Sequence, residues 1–187
     1  MQLSEIRTQI DSIDAQLKEL LLARLGCSEQ VAAAKREAGS TEIYRPEREA
    51  AILERLGADV DPATKPEYLA VVSKVIETSR MYQYGLLYDA DPAIFEQVSG
   101  HELCGASTSS ITARLTCENK PGAMGAALSI VGDWGYNARR LDLLTQDESA
   151  ASFELQIAGD ACEPAMRKLL FQLASETLEF RIVGTEV

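Results

Sequence analysis

The stretch LSEIRTQIDSIDAQLKEL, residues 3–20, decides how the first half of the chain folds. Leu3, Ile6, Ile10, Ile13, Leu17 and Leu20 recur at steps of 3, 4, 3, 4 and 3. That spacing is a heptad a/d stripe, which runs along one side of a helix. Good helix formers continue to Lys35 and Arg36, Gly39 supplies a C-terminal cap, and no proline interrupts residues 1–45. A helix from about Ser4 to Ala38 is roughly 50 Å long at ~1.5 Å per residue. A compact domain of ~90 residues has a radius of gyration of only about 12 Å. The helix therefore overhangs any core that one copy can build, and its apolar stripe needs something to cover it. The simplest cover is the same helix of a second chain, in an intertwined helical dimer.

Reading outward, Tyr44-Arg45-Pro46-Glu47-Arg48-Glu49 opens a second helix, with Pro46 at its first position and acidic residues at the positive end of its dipole. Gly57 ends it. A third helix starts near Pro66 and runs through Leu86. Residues 1–88 thus form an all-helical domain. Residues 89–110, rich in Ala, Ser, Gly and Asp, read as a linker with room for one helical turn at Ile94-Phe95. From Ile111 the apolar period switches from helical to alternating. The order over residues 111–187 is β-α-β-β-α-β, which builds an antiparallel sheet with two helices on one face, an α+β ferredoxin-like domain.

Composition narrows the chemistry. The chain has 187 residues and a net charge of −11. Residues 1–90 carry 11 basic and 15 acidic side chains, and residues 91–187 carry 7 and 14. Such a balance disfavours nucleic acid or an anionic membrane as the main partner. Any anion site must be a local cationic cluster in an acidic protein. No apolar run approaches the ~20 residues that span a bilayer. Cys27, Cys104, Cys117 and Cys162 have no metal-ligand spacing and read as reduced thiols of a cytoplasmic protein. A single histidine, His101, excludes multi-histidine zinc sites and nearly all histidine-activated nucleophiles. No metal and no cofactor is expected.

Among the cations of the helical half, Arg24 and Lys35 are 11 residues apart, within about 20° of one helix face. Arg7 lies over 25 Å from Arg24 along the axis and roughly 100° around it. Arg7 can join that pair around one small ligand only from a second chain in antiparallel pairing. Ser79 and Gln83 are an i,i+4 pair, and Glu49 lies in the first turn of the second helix. Spacing alone favours a solvated helix surface for these residues.

Residues 3–85 resemble the all-helical chorismate mutase family, in particular the domain found at the N-terminus of bifunctional prephenate dehydratases. LSEIRTQIDSIDAQLKELLLAR, VAAAK, YRPEREAAILERL and SRMYQ carry the resemblance. It implies the pericyclic rearrangement of chorismate to prephenate in phenylalanine and tyrosine biosynthesis. It further implies that Arg24 and the partner subunit's Arg7 clamp the two carboxylates. Lys35 then binds a carboxylate and the ether oxygen, Gln83 bonds that oxygen, Glu49 accepts from the ring hydroxyl, Ser79 supports a carboxylate and Arg48 shapes the pocket. Arg45 stands where many relatives carry Asp: a contribution through the backbone is little changed by the departure, whereas one through the side chain alters the contact to the hydroxyl. An isochorismate pyruvate lyase on the same fold, or a non-catalytic sensing or partner subunit, remains an alternative.

Residues 111–187 resemble an ACT domain through ENKPGAMGAALSIVGDWGYNARRLDLL. Such domains dimerise and often bind amino acids, which makes Pro121, Gly122, Ala123 and Met124 a candidate effector site. The Glu-Ser-Arg-Pro segment of phenylalanine-sensing relatives is absent, and the 22-residue linker has no space for a dehydratase domain. The expected assembly is a homodimer or a dimer of dimers.

Overall fold

The computed structural model describes residues 2–99 and 107–187; His101 and Cys104 lie outside the described residues. The chain divides into two compact units, one ending at Leu86 and the other starting at Leu87.

The first unit holds α1 (Leu3–Glu37), α2 (Pro46–Leu56) and most of α3 (Lys65–Ala90). At the start of α1 the Gln2 backbone N–H donates to the Glu5 carboxylate at 2.9 Å, which meets one of the unpaired donors of a helix N-terminus. The helix stops at Ala38, and Gly39 follows at φ +65°, a left-handed conformation that favours glycine. Pro46 opens α2 and Gly57 caps it. A Cβ at Gly57 would sit 2.9 Å from Lys65 Cε and 3.2 Å from both the Leu53 carbonyl oxygen and Leu69 Cδ2, so a side chain here would make its neighbours shift. Little of α1 is covered. Every residue from Gln2 to Ala23 is exposed, including the whole Leu3-to-Leu20 stripe, and Leu20 is 68% exposed. Only Ser28 and Ala32 of this helix are buried.

The second unit begins with the last four residues of α3 and continues through α4 (Ile94–Ser99), β1 (Ser110–Glu118), α5 (Ala123–Asp133), β2 (Asn137–Gln146), β3 (Ala150–Ala158), α6 (Pro164–Glu176) and β4 (Glu179–Glu186). The strands form one antiparallel sheet in the order β2-β3-β1-β4. Ile111, Ala113 and Leu115 of β1 and Ala151, Phe153, Leu155 and Ile157 of β3 alternate with polar residues and are buried. Met166, Leu169, Leu170 and Leu173 of α6, with Ala127 and Val131 of α5, supply the helical side of this core. The segment read from sequence as a linker contributes to the same unit. Ile94 and Phe95 are buried and α4 packs against α6. Lys168 of α6 also donates to the Asp89 carboxylate at 2.7 Å.

Candidate functional site

A cavity of about 280 Å³ opens within the helical unit. Arg24, Ser28 and Lys35 reach it from α1, which realises the common face that their spacing implies. Arg45, Arg48 and Glu49 reach it from the start of α2, and Ser79, Arg80 and Gln83 from α3. Ile43, Ile52 and Ile76 supply apolar wall. Five cations thus face one carboxylate, in a half of the chain whose overall charge is negative. An enclosure lined so strongly by one sign concentrates ligands of the other, here anions.

The polar side chains are held by specific partners. Arg24 Nη1 donates to the Val75 carbonyl at 3.1 Å and to Ser79 Oγ. Ser79 Oγ in turn donates to the Val75 carbonyl at 2.9 Å. The buried Ser79 hydroxyl therefore fixes Arg24 against α3, with one guanidinium nitrogen engaged and the rest of the planar fork available for a carboxylate. Gln83 Nε2 donates to its own helix at the Ser79 carbonyl, 3.1 Å away. Lys35 Nζ donates to the Glu42 carbonyl oxygen. Burial pulls the Lys35 ammonium below the usual lysine value; the Glu42 carboxylate opposes the shift, and the charges of Arg45 and Arg48 add to it.

Arg45 occupies the N-cap of α2, and its carbonyl accepts the Glu49 backbone N–H at 3.1 Å. Its side chain is mostly exposed and lies 3.9 Å from the Glu42 carboxylate. The carbonyl thus serves the first turn of α2, while the side chain points toward the Glu42 carboxylate. Arg7 sits on the exposed part of α1 and does not line the cavity of its own chain.

Arg80 is the charged cavity residue that sequence reasoning missed; Ser28 and the apolar wall were missed as well. Arg80 Nη1 donates to Glu49 Oε2 at 2.5 Å, and its guanidinium carbon lies 4.7 Å from the centre of the Tyr44 ring. A signal was available, since Arg80 precedes Gln83 by three residues, a spacing that brings side chains together on a helix.

In the sheet unit, Gly122 caps α5 in a left-handed conformation at φ +87°. The Ala123 N–H already donates to the Lys120 carbonyl at 3.2 Å, inside the turn. Among the described residues no cluster of histidine, cysteine or carboxylate side chains is placed to hold a metal ion, and no helix is long and apolar enough to cross a membrane.

Residues 6–84 match the family model described as chorismate mutase type II. The matched span contains every residue of the cavity. It ends two residues before the contact boundary at Leu86 and leaves the sheet unit outside. No curated protein matches the chain. Among solved structures, one titled "GqqA- a novel type of quorum quenching acylases" is similar at 24% identity with a TM-score of 0.41. The similarity covers 46% of this chain and 32% of that one, so this chain spans about a third of that protein's length.

Proposed function

We propose that the helical unit is a chorismate mutase, active as a homodimer. One observation carries the proposal: Lys35 and Gln83, from different helices, share a cavity with Arg24. The rearrangement breaks the ether C–O bond and forms a C–C bond in one cyclic movement of electrons. It transfers no proton to the protein and uses no nucleophile, metal or cofactor. What the protein supplies is a compact conformation of the substrate and positive charge where negative charge gathers on the ether oxygen. In this reading Arg24 and the partner subunit's Arg7 grip the two carboxylates. The Lys35 ammonium and the Gln83 amide exchange their present carbonyl partners for the ether oxygen. Glu49 accepts from the ring hydroxyl, Arg48 borders the ligand, and Ser79 acts mainly by fixing Arg24. The exposed α1 stripe supports the dimer, because antiparallel pairing covers it and carries Arg7 across.

The test is chorismate consumption by the purified protein, with prephenate identified as product. Lys35→Ala and Gln83→Ala are each expected to lower kcat by about 10²–10³-fold, the usual loss of one aimed donor at a developing charge. Full turnover in either variant rejects the assignment. Release of pyruvate from isochorismate at a higher rate would instead make the enzyme a lyase.

For the sheet unit we propose an ACT-like, ferredoxin-like domain that regulates the mutase or assists its dimerisation. The βαββαβ order and the β2-β3-β1-β4 sheet support it. Residues Pro121, Gly122, Ala123 and Met124 are the proposed effector contact. A rise in melting temperature with phenylalanine, tyrosine or tryptophan, lost in Gly122→Val, is the expected result.

A further inference from the structure

Arg80 has no role in the proposed chemistry so far, yet it is the less exposed side chain of an ion pair that joins α3 to α2 at the cavity. The Arg80 and Glu49 side chains are 11% and 20% exposed, and the contact is 2.5 Å. The Tyr44 ring lies 4.7 Å from the guanidinium, within the range of a cation–π contact. Arg80 is therefore fixed between the ring and the carboxylate. Glu49 is the one carboxylate among five lining cations. Without a fixed partner it would have Arg24, Lys35 and Arg48 as competing attractions, and these are the groups that must stay open to a dianion.

We propose that Arg80 is a positioning residue: it holds the Glu49 carboxylate aside from the substrate-binding cations and aims it at the ligand's hydroxyl. The role rests on the mutase reading of the cavity. Loss of Arg80 lets Glu49 swing onto Lys35 or Arg48 and occupy the substrate's place as an internal anion. The defect is then mainly competitive. It appears in KM more than in kcat, and it disappears when Glu49 carries no charge.

The experiment is a double-mutant cycle on the full-length protein, with Arg80→Ala, Arg80→Lys, Glu49→Gln and the Arg80→Ala/Glu49→Gln double variant. Arg80→Ala is expected to raise KM for chorismate by about 30-fold while kcat changes by less than ~3-fold, the pattern of lost binding common to ground and transition state. In the Glu49→Gln background the same substitution is expected to change kcat/KM by less than ~3-fold, which is the non-additivity of two residues acting as a unit. Arg80→Lys, which keeps the charge but loses the planar fork, should recover part of KM. An Arg80→Ala loss of equal size in both backgrounds overturns the proposal and makes Arg80 either a direct ligand contact or a scaffold residue. Unchanged kinetics in Arg80→Ala overturn it as well. A crystal structure of Arg80→Ala decides the matter independently of substrate: Glu49 displaced toward Lys35 or Arg48 supports the role, and Glu49 at its original site rejects it. If the native protein fails to consume chorismate, the mutase reading falls, and this crystallographic arm still judges the Arg80–Glu49 arrangement.

Discussion

The two units of this chain solve the folding problem in opposite ways. In the sheet unit, Phe153, Leu155, Ile157, Leu169, Leu170 and Leu173 are fully buried, and β3 alternates cleanly between a buried and a more exposed side. In the helical unit, six apolar residues of α1 between Leu3 and Leu20 are exposed, while the buried set near the cavity is small and includes Ser28 and Ser79. One unit puts its apolar surface into its own core, at a gain of about 25 cal/mol per Å² removed from water. The other leaves its longest apolar face exposed and sets five cations around a cavity. A cavity lined by five cations cannot also be a hydrophobic core, because desolvated like charges repel. Stability therefore has to come from outside the cavity, and in the proposed dimer the covered α1 stripe supplies it.

The largest effect should come from the stripe. Ile13→Glu together with Leu17→Glu places two carboxylates on each copy of the proposed α1 pairing surface, where desolvation and like-charge repulsion oppose association. Light scattering should then report a monomer, and chorismate turnover should fall by more than about 10²-fold, because the partner subunit's Arg7 is no longer delivered. The sheet unit should keep its own unfolding transition. A dimer that survives this double substitution, with normal turnover, would place the subunit contact elsewhere. The converse change is Leu155→Ala, which empties a fully buried site between β1 and β2. It should destabilise the sheet unit by about 2–5 kcal/mol, the range for a large-to-small change in a packed core. Turnover below the new melting temperature should stay within about 3-fold. A large loss of activity from Leu155→Ala would mean that the units do not stand apart energetically.

How much of this was legible beforehand follows the same division. The regular elements were readable because each unit carries a strong period: 3.5 residues in α1, 2 in β1 and β3. Pro46 and Gly57 mark the ends of α2 through backbone chemistry that needs no tertiary information. The cavity was half legible. Arg24 and Lys35 could be put on one face by arithmetic, but nothing local says that Glu49 and Gln83 face them across the bundle, and only the family resemblance joined the set. Arg80 carried one local signal, its three-residue spacing from Gln83, but its carboxylate and its aromatic neighbour come from other segments, and without them that spacing does not set it apart from a surface arginine. The segment 89–110 was read as a linker on composition, yet Ile94 and Phe95 are buried in the second unit. A patch of two apolar residues is too short for periodicity to separate core from connection.

The smallest effect, and the one that isolates electrostatics from contact, belongs to Arg45. Its side chain is exposed, while its carbonyl already caps α2 through the Glu49 N–H. Arg45→Asp keeps that carbonyl and supplies a side chain well suited to an N-cap, so turnover near neutral pH should change by less than about 3-fold. The pH profile should move all the same. Lys35 is needed as an ammonium in the proposed reaction, and burial first, with the Arg45 and Arg48 charges adding, holds its pKa below the ordinary lysine value against the pull of Glu42. A lysine with a lowered pKa gives up its proton at lower pH than usual, so kcat/KM should decline on the alkaline side earlier than an unperturbed lysine would cause. Replacing Arg45 by Asp removes a repelling cation and adds an attracting anion, and both changes raise the Lys35 pKa. The alkaline limb of kcat/KM should therefore shift to higher pH while the neutral rate stays nearly constant. A limb that stays put would mean that the charge at position 45 is screened from Lys35 by solvent. A limb that moves down would reverse the sign of the interaction and remove Lys35 as the group that titrates.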